Sequence, residues 1–209
     1  MLPLLIFATA LEAESTLKQR HFEQISIHLW KSDTCYLLVC GMGALNASVH
    51  LTQTLHQIPR PSYLLNLGCA ASLQAFKVFD CIPISHVSKY LERGQVDDHS
   101  QQLFEKTFPS LELGTLAHQN LLAPARLTSV DCPLHNTVAR ASLNTSSDLL
   151  DMEGYALAMT AKLMGLPIHM IKCISDFGHD KGFEEILKNI SSCSERLSDI
   201  YFKIFKALS

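Results

Sequence analysis

The stretch DMEGYALAMTAKLMGLPIHMIKCISD, residues 151–176, changes hydrophobic period half-way along its length. Tyr155, Leu157, Ala158, Ala161 and Leu163 recur at helical spacing over residues 152–164. Gly165 then supplies a left-handed cap, and Leu166-Pro167 closes the helix. The mainly apolar run 168–174 follows at once, and hydrophobicity that does not alternate predicts a strand covered on both faces. Its carboxyl end delivers Ser175-Asp176 into a loop ahead of Phe177-Gly178. Ligands of open α/β sheets gather beyond the carboxyl ends of strands, so this loop is a place to look for chemistry.

Similar alternation extends over the rest of the chain. Strand-length apolar runs occur at 4–9, 35–40, 63–67 and 81–87, and helical spacing at 11–20, 44–57 and 183–205. Ile186, Leu187, Ile190, Leu197, Ile200, Ile204 and Phe205 make the last of these a core-packing helix. The pattern predicts an α/β protein with a parallel or mixed sheet. With 209 residues and no Gly-, Pro- or Ser-rich linker, residues 1–209 are expected to form a single domain. The most polar and loop-like segment is 92–113, read as a lid or an exposed connection.

Composition narrows the function classes. A net charge of −3 offers no basic surface for nucleic acid or anionic membrane, and points to a small neutral or weakly charged ligand. The apolar N-terminus lacks a basic leader and meets acidic residues too soon to span a membrane. The seven Cys show no C-x-x-C spacing and sit mostly in apolar runs, which reads as buried, reduced thiols in a cytoplasmic protein. The ten His, His179 near the Asp176 loop included, show no metal-ligand spacing, so no metal is expected. Absence of a G-x-S-x-G elbow argues against a serine hydrolase of the α/β type. The turn Cys40-Gly41-Met42-Gly43 could cradle an anion at a helix start. It lacks the third Gly of a dinucleotide fingerprint and the Gly-Lys-Ser/Thr of a P-loop, so neither cofactor class is expected. Asn66-Leu67-Gly68-Cys69-Ala70-Ala71 ends a strand with small residues, which admits a ligand close to the backbone or simply tight strand–helix packing.

Three acidic spots fall at expected ligand-facing ends: Glu12 and Glu14, Asp151 and Glu153, and Asp176. Each has an ordinary explanation, as a first-turn acid complementing a helix dipole or as a carboxylate organising a loop. Together they offer something more, because glycosyl cleavage needs carboxyl groups set across a bond, one as acid at the leaving group and one as base on water.

These motifs, in this order, resemble the methylthioadenosine/S-adenosylhomocysteine nucleosidase and futalosine hydrolase family of the purine nucleoside phosphorylase superfamily. The resemblance rests on Ala10-Leu11-Glu12-Ala13-Glu14, Cys40-Gly41-Met42-Gly43, Asn66-Leu67-Gly68-Cys69-Ala70-Ala71, Leu150-Asp151-Met152-Glu153-Gly154 and Ile174-Ser175-Asp176. It implies a three-layer α/β/α domain with a central mixed sheet, a purine nucleoside as ligand, no cofactor and a homodimer. It also assigns roles: Glu14 as the base on water, Glu153 as acceptor of the ribose hydroxyls with Met152 against the sugar, and Asp176, steadied by Ser175, as proton donor to the purine N7. Cys69, Ala70 and Leu122 would line the ligand pocket and Phe183 would cover the sugar. Cys69 and Ala71 replace the Ser and Gly of relatives, and Lys172 stands where they often have Arg. A carboxylate after the first strand, where phosphorylases place Gly and Arg, favours water over phosphate. The resemblance therefore implies hydrolysis of a futalosine-like or methylthioadenosine-like substrate, with a phosphorylase and a non-catalytic nucleoside binder as the alternatives.

Overall fold

The computed structural model describes residues 1–74, 76–90, 97–114, 121–134, 140, 141, 143, 146–178 and 182–206. Ten strands form one sheet among these residues. In chain order they are β1 (Leu4–Phe7), β2 (Glu23–Ser26), β3 (Leu29–Lys31), β4 (Tyr36–Val39), β5 (Leu64–Ser72), β6 (Cys81–Lys89), β7 (Leu111–Glu112), β8 (Ala125–Ser129), β9 (Leu149–Asp151) and β10 (Ile168–Asp176). The helices are α1 (Ala10–Gln19), α2 (Ala44–Gln57), α3 (Asp98–Thr107), α4 (Gly154–Leu163) and α5 (Gly182–Lys206).

The sheet order is β10-β6-β8-β9-β5-β1-β4-β3-β2, and β10 also pairs with β5, so β10, β6, β8, β9 and β5 close into a ring. Strand β5 makes this closure because it is long. Its Leu64, Leu65 and Asn66 pair with β1 on one side, and Ala71 and Ser72 pair with β9 further on. Along its other edge it runs parallel to β10 from Ile168↔Leu64 to Asp176↔Ala71. Strands β1, β4, β5 and β10 are mutually parallel, which brings their carboxyl ends to one edge of the sheet.

Both faces of this sheet are covered, as the mainly apolar runs require. One core packs Leu38, Leu51, Leu64, Met170 and Leu157 between the sheet and the helices α2 and α4. The other packs Phe7, Leu37, Leu65, Ile171, Leu197 and Tyr201 beneath α1 and α5. The arrangement is the mixed-sheet, three-layer architecture expected from sequence. Helix α4 ends as anticipated: Gly165 adopts φ +61°, its N–H reaches Lys162 O at 3.1 Å, and Leu166 N reaches Ala161 O at 2.9 Å.

The polar segment 92–113 departs from its reading as a loop. Residues 92–96 lie outside the described residues, but α3 follows, capped by Asp97, whose side chain accepts from Ser100 N. The segment is docked at its end, where Tyr155 Oη donates to Pro109 O at 3.0 Å and Val87 pairs with Leu111. A mostly polar helix with one packed edge lacks the apolar density that marks a buried element, which is why composition alone suggests a loop.

Candidate active site

The site grows from the first turn of α1. Thr9-Ala10-Leu11-Glu12 is a capping box: Glu12 N donates to Thr9 Oγ1 at 3.2 Å, and Glu12 Oε2 accepts from Thr9 N at 2.9 Å. The other oxygen, Oε1, accepts from Cys69 N at 2.8 Å, across from α1 to the end of β5. Glu12 is 5% exposed. Glu14, the expected base, is placed elsewhere. Two helical residues turn the chain by about 200°, so Glu12 and Glu14 cannot face the same way. The Glu14 carboxylate points to solvent and pairs with Lys18 at 2.5 Å. The Thr-x-x-Glu spacing of a capping box is the local trace of Glu12, but the packing of α1 on β5 decides which acid faces inward.

Glu153 caps α4 in sequence, yet its side chain serves another helix. Its Oε1 accepts from Gly43 N at 2.7 Å, at the start of α2. Gly41 and Gly43 hold φ of +83° and +87°, which aims that N–H inward. The anion cradled by the Cys40–Gly43 turn is thus this chain's own carboxylate. Burial pushes the Glu153 pKa up to about 7, with the charge of Asp151 adding to the rise and Lys172 and the Gly43 N–H opposing it.

Asp151 and Lys172 form a buried ion pair at 2.7 Å, linking β9 to β10. Asp151 also accepts from Ser129 Oγ at 2.5 Å and from Gly154 N at 2.9 Å, so its lone pairs are well used. Burial works against the charge on Lys172; Asp151, Glu153 and Glu12 outweigh it and hold the ammonium above the usual lysine range. Gly68 makes the meeting possible, because a Cβ there would sit 3.3 Å from Lys172 Nζ and 3.4 Å from Glu12 Oε1. Neither Lys172 as a charge partner nor Ser129 was singled out from sequence, because pairing across strands has no local signature.

Asp176 ends β10, is 2% exposed, and accepts from Ser175 Oγ at 2.7 Å and from Gly178 N at 2.6 Å. Asn189 of α5 fixes the same turn by donating to Ser175 O at 2.7 Å. Arg140 clamps it from the other side through the carbonyls of Phe177 and Gly178. The loop-organising reading of Asp176 is therefore part of its role, and its burial leaves room for a chemical one.

Among the remaining expected residues, Met152 packs half-buried against Val130, Leu143 and Leu150. Ala70 is buried in the core under α2 and α4, and Cys69 faces the core under α1 and α5. Leu122 is exposed at the connection before β8. Phe183 falls in the first turn of α5, its side chain outside the described residues, as is His179. No group of three or more His, Cys, Asp or Glu among the described residues could hold a metal ion.

Glu12, Asp151 and Glu153 thus gather around Lys172, and Asp176 lies four residues on at the end of the same strand, β10. Such a site repels anions, and offers a water-activating carboxylate, hydroxyl acceptors and a buried acid.

The chain is similar to known proteins along nearly its whole length. A curated 5′-methylthioadenosine/S-adenosylhomocysteine nucleosidase from Maridesulfovibrio salexigens is 24% identical over 205 residues, covering 86% of this chain and 87% of that one. The structure of the Helicobacter pylori 5′-methylthioadenosine/S-adenosylhomocysteine nucleosidase, complexed with a substituted pyrrolidin-3-ol, superposes with a TM-score of 0.84 at 14% identity, covering 98% and 97%. Futalosine hydrolase of the same organism gives 0.82 at 14%, with the same coverage. At such identities the structural likeness is one of fold. The profile of the Phosphorylase superfamily matches residues 4–206, and the chain belongs to that superfamily.

Proposed function

We propose that this protein hydrolyses the N-glycosidic bond of a 5′-modified purine nucleoside and releases the free base. The observation that carries the reading is the pair of buried carboxyl groups tied to one strand end: Glu12 is bonded to Cys69 N, and Asp176 pairs in register with Ala71. These anchors lie two residues apart on β5, so base and acid are held to the same strand end, as cleavage across a glycosidic bond requires.

Glu12, rather than Glu14, takes the proton of the attacking water. Glu153 accepts hydrogen bonds from the ribose hydroxyls. Asp176, held by Ser175 and Gly178, protonates the purine so that the base departs neutral while the sugar becomes oxocarbenium-like. Lys172 keeps the adjoining carboxylates from repelling one another apart. The carboxylate cluster disfavours phosphate as nucleophile, and the curated relative's name agrees with a hydrolase. The substrate is of the futalosine or methylthioadenosine/S-adenosylhomocysteine class, matching the names of the relatives.

Two further parts belong to this reading. A homodimer forms through the outer side of α2 and its approach, where Met42, Leu45 and Val49 are exposed. The protein works in the cytoplasm, in keeping with seven free cysteines and, among the described residues, no helix long and apolar enough to cross a membrane.

Chromatography of free base released from aminodeoxyfutalosine, futalosine and methylthioadenosine, with and without phosphate, tests the proposal. Release in phosphate-free buffer is expected, and the relative rates assign the substrate. Release only with phosphate would make the protein a phosphorylase. Light scattering on the eluting protein tests the dimer, which a fully active monomer would remove.

A further inference from the structure

Strands β5, β10 and β6 lie side by side, and their register sets Cys69 opposite Cys173 and Cys173 opposite Cys81. Three thiols therefore form a row across the sheet. Helix α5 lays Cys193 over this row, where its thiol donates to Ile174 O at 3.7 Å, next to Cys173 in β10. All four face the core under α1 and α5, and all are free. Cys81, Cys173 and Cys193 are buried, whereas Cys69 is half-buried. Cys69 is also the one that meets the acid cluster, because its backbone N–H donates to Glu12 at 2.8 Å. Nothing in the hydrolytic reaction calls for a second thiol behind it.

We propose that Cys69 and Cys193 are an oxidation site at the rear of the active site, joined by hydrogen peroxide into a disulfide that switches the acid cluster off. The Cys69 sulfur attacks one peroxide oxygen; the O–O bond breaks, an S–O bond forms, and the Cys69 proton leaves with the departing hydroxide as water. The Cys193 sulfur then attacks the Cys69 sulfur; an S–S bond forms, the S–O bond breaks, and the hydroxide leaves with the Cys193 proton as a second water. Two thiols are oxidised by two electrons and one peroxide is reduced.

The environment divides the roles. Cys193 is buried behind the half-buried Cys69, which suits it to the resolving attack. Cys69 is held protonated by its bond to Cys193, by burial and by Glu12, so the first step is slow and sets the rate. The disulfide draws the Cys69 side chain toward α5 and disturbs the backbone N–H that Cys69 donates to Glu12. The effect on turnover, though not the linkage itself, rests on Glu12 being the base.

The test treats the full chain with hydrogen peroxide, alkylates the remaining thiols and maps linked peptides by mass spectrometry without reduction. A Cys69–Cys193 link is expected, with base release falling at least tenfold and returning on addition of dithiothreitol. Cys193→Ser, with Cys193→Ala in parallel should the hydroxyl disturb the core, is expected to keep the untreated rate. Under prolonged peroxide it should carry Cys69 on to the sulfinic acid, with a loss that dithiothreitol no longer reverses. Oxidation without that link, or a link that leaves an active enzyme's rate unchanged, overturns the proposal. Because the link is scored by mass, a protein that releases no base before treatment would refute the proposed function and still report on the disulfide.

Discussion

Glu12 and Glu14 differ by two positions on one helix, and that separation decides which of them meets substrate. Glu12→Gln is expected to lower turnover by roughly 10²–10⁴-fold, while Glu14→Gln, which loses only an exposed pair with Lys18, should stay within about twofold of wild type. Steady-state rates of the two variants check this, and the opposite ranking would return the base to Glu14. Asp176→Asn should stop turnover and leave nucleoside binding intact by calorimetry, since the proton donor alone is lost. Glu153 supplies a pH dependence. Its pKa is raised from 4.5 to about 7, so between those values the folded protein holds a proton that the unfolded chain has released. Its contribution is full below pH 4.5 and is lost as pH rises through 7, to an extent of up to about 3 kcal/mol. Thermal midpoints should therefore fall less between pH 5 and pH 8 for Glu153→Gln than for wild type.

At the scale of elements, the capping box of α1 does two jobs, starting the helix and holding Glu12 in place. Thr9→Ala is expected to destabilise the protein by about 1 kcal/mol and to lower turnover, whereas Thr9→Ser should restore both; denaturant midpoints and initial rates would show whether cap and site are coupled. The long elements were legible because each buries enough to leave a periodic trace. Helix α2 spans the expected 44–57, and α4 ends at the Gly165 cap. Strand β5 extends past its expected end at residue 67, through Gly68-Cys69-Ala70-Ala71, because small residues that look like a loop in sequence pair with β10 in the sheet. The short strands β2, β3, β7, β8 and β9 left little signal, β2 being exposed throughout. Of these, β9 matters most, since it delivers Asp151 beside Lys172.

Over the whole molecule, the closed ring of β10, β6, β8, β9 and β5 is bolted by the Lys172–Asp151 pair. Lys172→Met should cost roughly 3–5 kcal/mol, the penalty for stranding a buried charge, and more than any single carboxylate substitution at the site. Urea unfolding measures it, and a near-neutral result would mean that Asp151 takes up a proton instead.

The α/β class, the order of the long elements and the gathering of acids at strand ends were determined by the sequence itself, because they follow from hydrophobic period, caps and the direction of parallel strands. Asp176, just beyond an apolar run, and Glu153, in the first turn of a periodic helix, could be picked out for the same reason. Which acid of α1 faces inward, that Glu153 answers to Gly43, that Lys172 lies among carboxylates, and that Cys69, Cys173 and Cys81 line up across the sheet were decided only by tertiary structure. Those relations join residues tens of positions apart, and their energies come from burial and from charge in a low-dielectric interior, neither of which exists until the chain has closed around them.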